Sequence, residues 1–394
     1  MGRMVSRRTV LLGSASVALG ALGGCGRDQP AASPSPTRAA TSAAPTSPSP
    51  SASTPTPATP TPSASRPATA PSGPPRPRVT RTVVGDLDVP WGMAFLKSGD
   101  ALVSERNTAR LLRVTAKGKV SSLGKVAGVA APSGLGEGGL LGIALAPGDE
   151  DTVFAYLTSE SDNRVVRFSI RGGRVGRPTA VLTGIPTSVH HHGGRLLFDD
   201  DGMLFVSTGD AEQSALAQNR GSLAGKILRL RPDGRPAAGN PYDNRTWSYG
   251  HRNVEGLAFD ARGRLWATEF GEKAADELNL IRRGHNYGWP RVEGRSRRYT
   301  NPKATWSPTS SCSPAGLAIT RSTAFVGALQ GKCLFSVALH GTGAGKPKAH
   351  FAGDYGRIRN VVVAPDGALW MTTSNTDGRV DPGRKDDRII RVTL

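Results

Sequence analysis

Gly194-Arg195-Leu196-Leu197-Phe198, a turn at Asp201-Gly202, then Leu204-Phe205-Val206-Ser207: an apolar stretch carrying Gly, a polar turn, and a β-rich strand. The same phrase occurs at Pro90–Phe95 with Ala101–Ser104, at Gly139–Leu145 with Val153–Tyr156, and at Glu255–Phe259 with Leu265–Thr268. It returns at Ala315–Ile319 with Ala324–Gly327, and at Asn360–Val363 with Leu369–Thr372. The copies are spaced by roughly 45–60 residues, within or a little above the period of propeller blades. Each reads as two strands joined by a tight turn such as Asp201-Gly202 or Asp366-Gly367. One such unit cannot bury both faces of its sheet; six packed around an axis can, leaving a channel where polar groups of every blade converge. The expected fold is therefore all-β, a six-bladed β-propeller of four-stranded antiparallel blades over residues 81–394.

Composition bounds the rest. The chain has 394 residues, 37% hydrophobic, with 49 Gly and 30 Pro. Much of the Pro falls in a Pro/Ser/Thr/Ala tract that lacks the apolar residues for a core, so residues 25–80 read as a disordered stalk. Residues 1–24 read as a signal peptide: Arg3, Arg7 and Arg8, then an apolar run from Val10 to Leu22 too short for an ordinary membrane span. Leu22-Gly23-Gly24-Cys25 resembles a bacterial lipobox, which makes Cys25 the lipidation site, and Ser6–Leu11 resembles a twin-arginine signal. The expected location is outside the cell, lipid-anchored to the outer face of the membrane. Cys312 and Cys333 remain as a pair in an oxidising compartment, and a disulfide across the fifth repeat is expected. The formal charge of +19 is spread over all the repeats without a nucleic-acid-binding signature, so no nucleic-acid partner is expected.

Five segments carry candidate chemistry. His190-His191-His192-Gly193-Gly194-Arg195 opens the third repeat. Such a His run can be a solvated loop, a chance metal chelator or the seat of a general base, and strand alternation would aim His191 opposite to its neighbours. Ser207-Thr208-Gly209-Asp210 ends a strand of the same repeat, where a carboxylate could orient an imidazole or cap its own turn. Trp247–Asn253 places Arg252 and Asn253 where the fourth blade begins. The carboxylates and Gly-rich turns from Thr268 to Pro290 suit a hard cation, though not with EF-hand spacing. Arg357-Ile358-Arg359 suits an anionic ligand or a basic sheet face.

In this order the segments resemble the soluble pyrroloquinoline-quinone-dependent sugar dehydrogenases, the glucose/sorbosone dehydrogenase family that includes the aldose sugar dehydrogenases. The specific parts are Gly136–Gly142, His191–Arg195, Gly209-Asp210, Trp247–Asn253, Asp276–Ile281, Asn286–Pro290 and Arg357–Asn360. The resemblance implies oxidation of an aldose sugar to its lactone, with pyrroloquinoline quinone (PQQ) as hydride acceptor and Ca2+ beside it. It implies His191 as the base, Asp210 as its orienting carboxylate, and Arg252 as the group that polarises the quinone. Glu137, Asn253, Gln330, Arg357 and Arg359 fall at the other cofactor positions. Gly271 and Glu272 fall where backbone oxygens hold the cofactor's calcium, and Glu277 and Tyr287 where further calcium binds.

Glu137 stands where some members have Gln, Gln330 where a Lys contacts the cofactor, with Lys332 close by, and Glu272 where a Pro occurs. A carboxylate near an anionic quinone is unfavourable unless paired or protonated. The alternative reading is a quinone-free propeller that binds carbohydrate or protein. A lactonase-type hydrolase would need a metal held by carboxylates deep in the channel. The sugar and the electron acceptor are left open, the latter because no haem Cys-x-x-Cys-His is present; the assembly is read as a monomer or homodimer.

Overall fold

Each copy of the repeated phrase is the inner hairpin of a blade. A computed structural model describes residues 74–394, so the signal segment, Cys25 and most of the Pro-rich tract lie outside the described residues. The strands form six antiparallel sheets in chain order. Blade III shows the pattern: Gly193–Phe198 innermost, then Leu204–Thr208, Lys226–Leu230 and Thr246–Tyr249. The innermost strands of blades I, II, IV, V and VI are Pro90–Phe95, Leu140–Ala146, Asn253–Phe259, Pro314–Thr320 and Ile358–Val363. In blades II and V the third strand also carries a two-residue ribbon, Arg174–Val175 and Gly343–Ala344.

The ring is closed by the start of the domain. Arg78–Val84 pairs with the last strand, Ile389–Thr393, as the outer strand of blade VI. The propeller thus begins at Arg78, three residues before the boundary read from the sequence, because this strand has weak apolar alternation and is exposed over most of its length.

Packing lies between blades. Six clusters of buried side chains form, each drawn mainly from two neighbouring blades. Blades IV and V, for example, share Trp266, Leu278, Trp306, Leu317, Val326 and Val337. Nearer the axis the strands approach too closely for side chains. A Cβ on Gly142 would stand 2.2 Å from the Gly194 carbonyl oxygen of the next blade, and one on Gly256 would stand 2.5 Å from that of Ala315. The Gly of the phrase, present in the first five copies and replaced by Asn360 in the sixth, is the residue that lets inner strands touch.

The last residue of the phrase completes the contact. Ser104 Oγ donates to Leu141 O at 2.6 Å, Tyr156 Oη to His192 O at 2.9 Å, and Ser207 Oγ to Val254 O at 2.8 Å. Thr268 Oγ1 donates to Ala315 O at 2.6 Å and Thr372 Oγ1 to Pro90 O at 3.1 Å. Five blades therefore clasp the inner strand of the next through a hydroxyl. The sixth places Gly327 there, where a Cβ would sit 2.9 Å from Ile358 O.

The expected disulfide is absent. Cys312 and Cys333 are free thiols, both buried in the cluster between blades IV and V. Burial, then Asp276 and Cys333, push the Cys312 thiol far above its usual range; burial pushes Cys333 to about 11. The thiolate that disulfide exchange requires is therefore disfavoured at both positions.

Thr268→Val should keep the shape and lose the clasp, lowering unfolding free energy by about 1 kcal/mol in urea titration. Gly142→Ala should cost more, because its methyl meets fixed backbone. Both thiols should resist alkylation in the native protein and react after denaturation without reductant; finding them bonded would overturn the assignment.

Candidate active site

The starts of the inner strands and the ends of the second strands lie at one end of the ring, since the two are antiparallel. His191, Arg252 and Arg357 immediately precede or nearly precede inner strands, and Asp210 follows a second strand. Topology alone therefore gathers these residues at one mouth of the channel.

His191 lies in the loop before its strand. Its backbone is left-handed (φ 60°), so a turn, and not strand alternation, separates its ring from those of its neighbours. Asp210 Oδ1 accepts from His191 Nδ1 at 2.7 Å, which leaves Nε2 with the lone pair. Asp210 is itself held: Trp289 Nε1 donates to Oδ2 at 2.7 Å, the Glu212 N–H to Oδ1 at 2.9 Å, and the Asp210 N–H goes to Arg252 O at 2.7 Å. Gly209 permits the close approach, since a Cβ there would fall 1.8 Å from His191 O. The other two histidines serve elsewhere. His190 pairs with Glu212 at 3.1 Å on the surface. His192 is buried against Asn163 Oδ1 at 2.9 Å, and burial lowers its pKa.

Arg252 is half-buried beside this pair, with its guanidinium 5.4 Å from the Trp289 ring centroid. Its N–H donates to Glu269 Oε1 at 2.6 Å, while its side-chain Nε is buried with no partner. A cleft of about 650 Å³ is lined by His191, Asp210, Arg252, Trp289 and Arg291. A larger cavity of about 830 Å³ lies between blades III and IV around Asp199, Trp247 and Asp260. That cavity is lined by the hairpin turns at the opposite end of the ring, so the smaller cleft is the one that carries the convergent groups.

Farther into the channel, Arg357 pairs with Asp377 at 3.1 Å and Arg359 with Glu255 at 2.6 Å, both buried. Glu137 accepts the His191 N–H at 3.0 Å and faces Arg379 at 3.4 Å. Burial opposes ionisation of Glu137, but the His191 N–H and the Arg379 and Arg359 guanidiniums hold its carboxyl below the usual range. It is thus an ionised, paired carboxylate, which removes the electrostatic objection to a Glu at this position. Asn253 is fully buried and its Oδ1 accepts the Gly193 N–H at 2.9 Å, so it ties blade III to blade IV. Gln330 lies on an exposed turn of blade V at the same mouth, its N–H bonded to Cys312 O at 3.1 Å.

The candidate metal positions fall in two places. Gly271 and Glu272 form a turn whose amides are capped: Gly271 N–H donates to Asp276 Oδ1 at 2.9 Å and Glu272 N–H to Glu293 Oε2 at 3.0 Å. The Glu272 carbonyl accepts the Thr309 hydroxyl at 3.5 Å and keeps a second lone pair to offer a hard cation. Glu277 is buried, accepting from the Gly294 N–H at 2.6 Å and from Asn279 Nδ2 at 2.8 Å. Burial and then Glu269 raise its pKa to about 8. The Tyr287 hydroxyl is committed to Leu280 O (2.7 Å) and the Arg282 N–H (2.9 Å). Among the described residues, no group of three His, Cys, Asp or Glu is placed to hold a metal by side chains alone.

Several residues of this mouth were not singled out by sequence reasoning: Trp289 as a partner of Asp210, and Glu255, Asp377, Arg379 and Arg106. A signal existed. Arg106 and Asp377 follow the end of a repeat's second strand by a few residues, as Asp210 does, and that offset is the mouth.

These groups and the fold define a propeller with an imidazole–carboxylate pair beside an arginine-rich channel. The chain matches the Glucose / Sorbosone dehydrogenase family over residues 87–382 and belongs to it. The structure of the PQQ-bound form of aldose sugar dehydrogenase from Streptomyces coelicolor is 46% identical, covering 82% of this chain and 99% of that one, with a TM-score of 0.78. Aldose sugar dehydrogenase YliI of Escherichia coli is 28% identical over 75% of this chain and 89% of its own. The protein slr1608 of Synechocystis is 32% identical over 76% of this chain and 84% of its own.

Glu255→Ala should leave Arg359 buried and unpaired, lowering stability by about 3 kcal/mol. Asp366→Ala, which breaks a half-exposed pair with Arg391, should cost under about 1 kcal/mol. Urea denaturation of the two variants tests whether the channel pairs differ from surface ones.

Proposed function

We propose that this protein is a PQQ- and calcium-dependent aldose sugar dehydrogenase. The carrying observation is the 2.7 Å bond between His191 and Asp210 beside the unpartnered Nε of Arg252. The relatives named above support the sugar and the cofactor.

The anionic quinone suits a mouth where Arg252 Nε and Arg359 Nε are buried without hydrogen-bond partners, as is Arg379 Nη1, which lies 3.8 Å from Asp377 Oδ2. Arg252, Arg357 and Arg359 would hold it, and the Gly271 and Glu272 carbonyls would hold the calcium. When bound, the quinone supplies the hydride acceptor. The chain supplies the rest. His191 Nε2 takes the proton of the sugar's anomeric hydroxyl as the C–H bond gives up its hydride. Asp210 keeps the Nδ1–H tautomer and stabilises the imidazolium that forms. Trp289 fixes Asp210 and lies beneath Arg252, so one indole sets the distance between base and electrophile. The channel carboxylates Glu137, Glu255 and Asp377 each face an arginine, an arrangement that speaks against a lactonase metal held by carboxylates.

The lipobox ending at Cys25 places the enzyme, in this reading, on the outer face of the membrane, passing electrons to a separate carrier. Cys25→Ala should release the protein from membranes or block its processing; a processed variant that stays membrane-bound would refute the anchor.

Calorimetric titration of the apo-protein with PQQ should show tight binding that calcium strengthens. His191→Ala should lower dye-linked aldose oxidation by about 10²–10⁴-fold while quinone affinity stays similar. His190→Ala and His192→Ala should change turnover far less. A reconstituted protein that oxidises no aldose would leave the carbohydrate- or protein-binding reading in place.

A further inference from the structure

The charges of the channel do not balance. Arg357, Arg359 and Arg379 face Asp377, Glu255 and Glu137. Arg195 has no carboxylate, but its Nε donates to Glu255 O at 2.9 Å and its guanidinium lies 4.3 Å from the centroid of the Trp91 ring. Arg106 is different. It is 2% exposed and forms no ion pair among the described residues. Its one side-chain hydrogen bond is from Nε to Asn107 Oδ1 at 2.9 Å, and its Nη1 is buried with no partner at all.

Arg106 is also held rigidly. Its N–H donates to Val89 O at 3.1 Å and its carbonyl accepts the Leu140 N–H at 3.1 Å, so blades I and II both fix its backbone. The side chain lies out of solvent. The charges acting on it are Arg359, Asp377, Arg379 and Glu137, which are the groups of the channel mouth. Burial, reinforced by Arg359, lowers its pKa to about 10, still well above neutrality, so the guanidinium is charged. A buried, unpaired cation is costly to the folded state unless something supplies the counter-charge.

We propose that Arg106 is a further cofactor-binding residue, whose missing partner is a carboxylate of the ligand that fills the channel mouth. The proposal rests on the quinone reading above and adds a residue to it that neither the sequence motifs nor the family resemblance assigned. A planar guanidinium with an unpartnered Nη1 suits a carboxylate better than a carbonyl. Arg106 then has opposite effects on the two states of the protein: it weakens the apo-form and strengthens the complex.

That opposition separates the proposal from a packing role. Arg106→Gln should raise or leave unchanged the unfolding midpoint of the apo-protein, while weakening PQQ binding by about tenfold or more in calorimetry. The trimethyl ester of PQQ, which lacks the carboxylate charges, should bind wild type and variant alike. Arg106→Lys, read the same way, should recover part of the affinity and serves if the Gln variant does not fold. If wild type and variant bind PQQ equally, the proposal is overturned and the function stands. A lowered apo midpoint with unchanged affinity likewise makes Arg106 structural and overturns it. If the wild type binds no PQQ, the functional reading falls, and citrate decides the anion site: stabilisation of wild type above the variant supports it, equal stabilisation overturns it.

Discussion

The contact that the whole molecule depends on is the one between neighbouring inner strands. Blades of a propeller share no continuous backbone ladder, only single bonds such as Asp210 N–H to Arg252 O, so their register around the axis comes mainly from side chains and close packing. Here it comes from the two ends of one repeated phrase. The Gly lets the inner strands approach to van der Waals distance, and the terminal hydroxyl of the second strand donates to a carbonyl of the next blade. These are buried hydrogen bonds, and in five of the six blades they tie a second strand to the next blade.

That clasp is also what builds the site. His191, Asp210 and Arg252 come from two blades, and hydrogen bonds cross the same seam beside them: Asp210 N–H to Arg252 O, and Gly193 N–H to Asn253 Oδ1. A rotation of one blade by a single residue would part the imidazole from the arginine. Precision at the mouth therefore derives from packing around the axis, with Trp289 touching both Asp210 and Arg252.

Electrostatics shapes the interior in a different way. The channel carries more guanidinium than carboxylate, and the surplus sits where solvent is scarce. Glu137 illustrates the consequence. In isolation a carboxylate there would repel an anionic ligand. Bound to the His191 N–H and facing Arg379, it instead anchors the loop that carries the base and neutralises one of several cations, leaving the region positive.

The six-fold phrase by itself determined the blade count and the all-β architecture, because a period of alternating apolar residues with a turn is written in adjacent positions. It also determined which end of each repeat holds polar groups, and so brought His191, Asp210 and Arg252 to notice. The opening strand Arg78–Val84 was not legible, since it belongs to blade VI only through pairing with residues more than 300 positions away. The disulfide was misjudged for the same kind of reason: two cysteines flanking one repeat meet the spacing rule, but only the packed cluster between blades shows them as buried thiols. Which of three consecutive histidines faces the cleft was decided by a left-handed turn at His191. Which arginines are paired and which, like Arg106, are not was decided by side chains arriving from other blades. Local patterning encodes local geometry; the pairing of buried charges depends on distances between blades, and only the closed ring sets those.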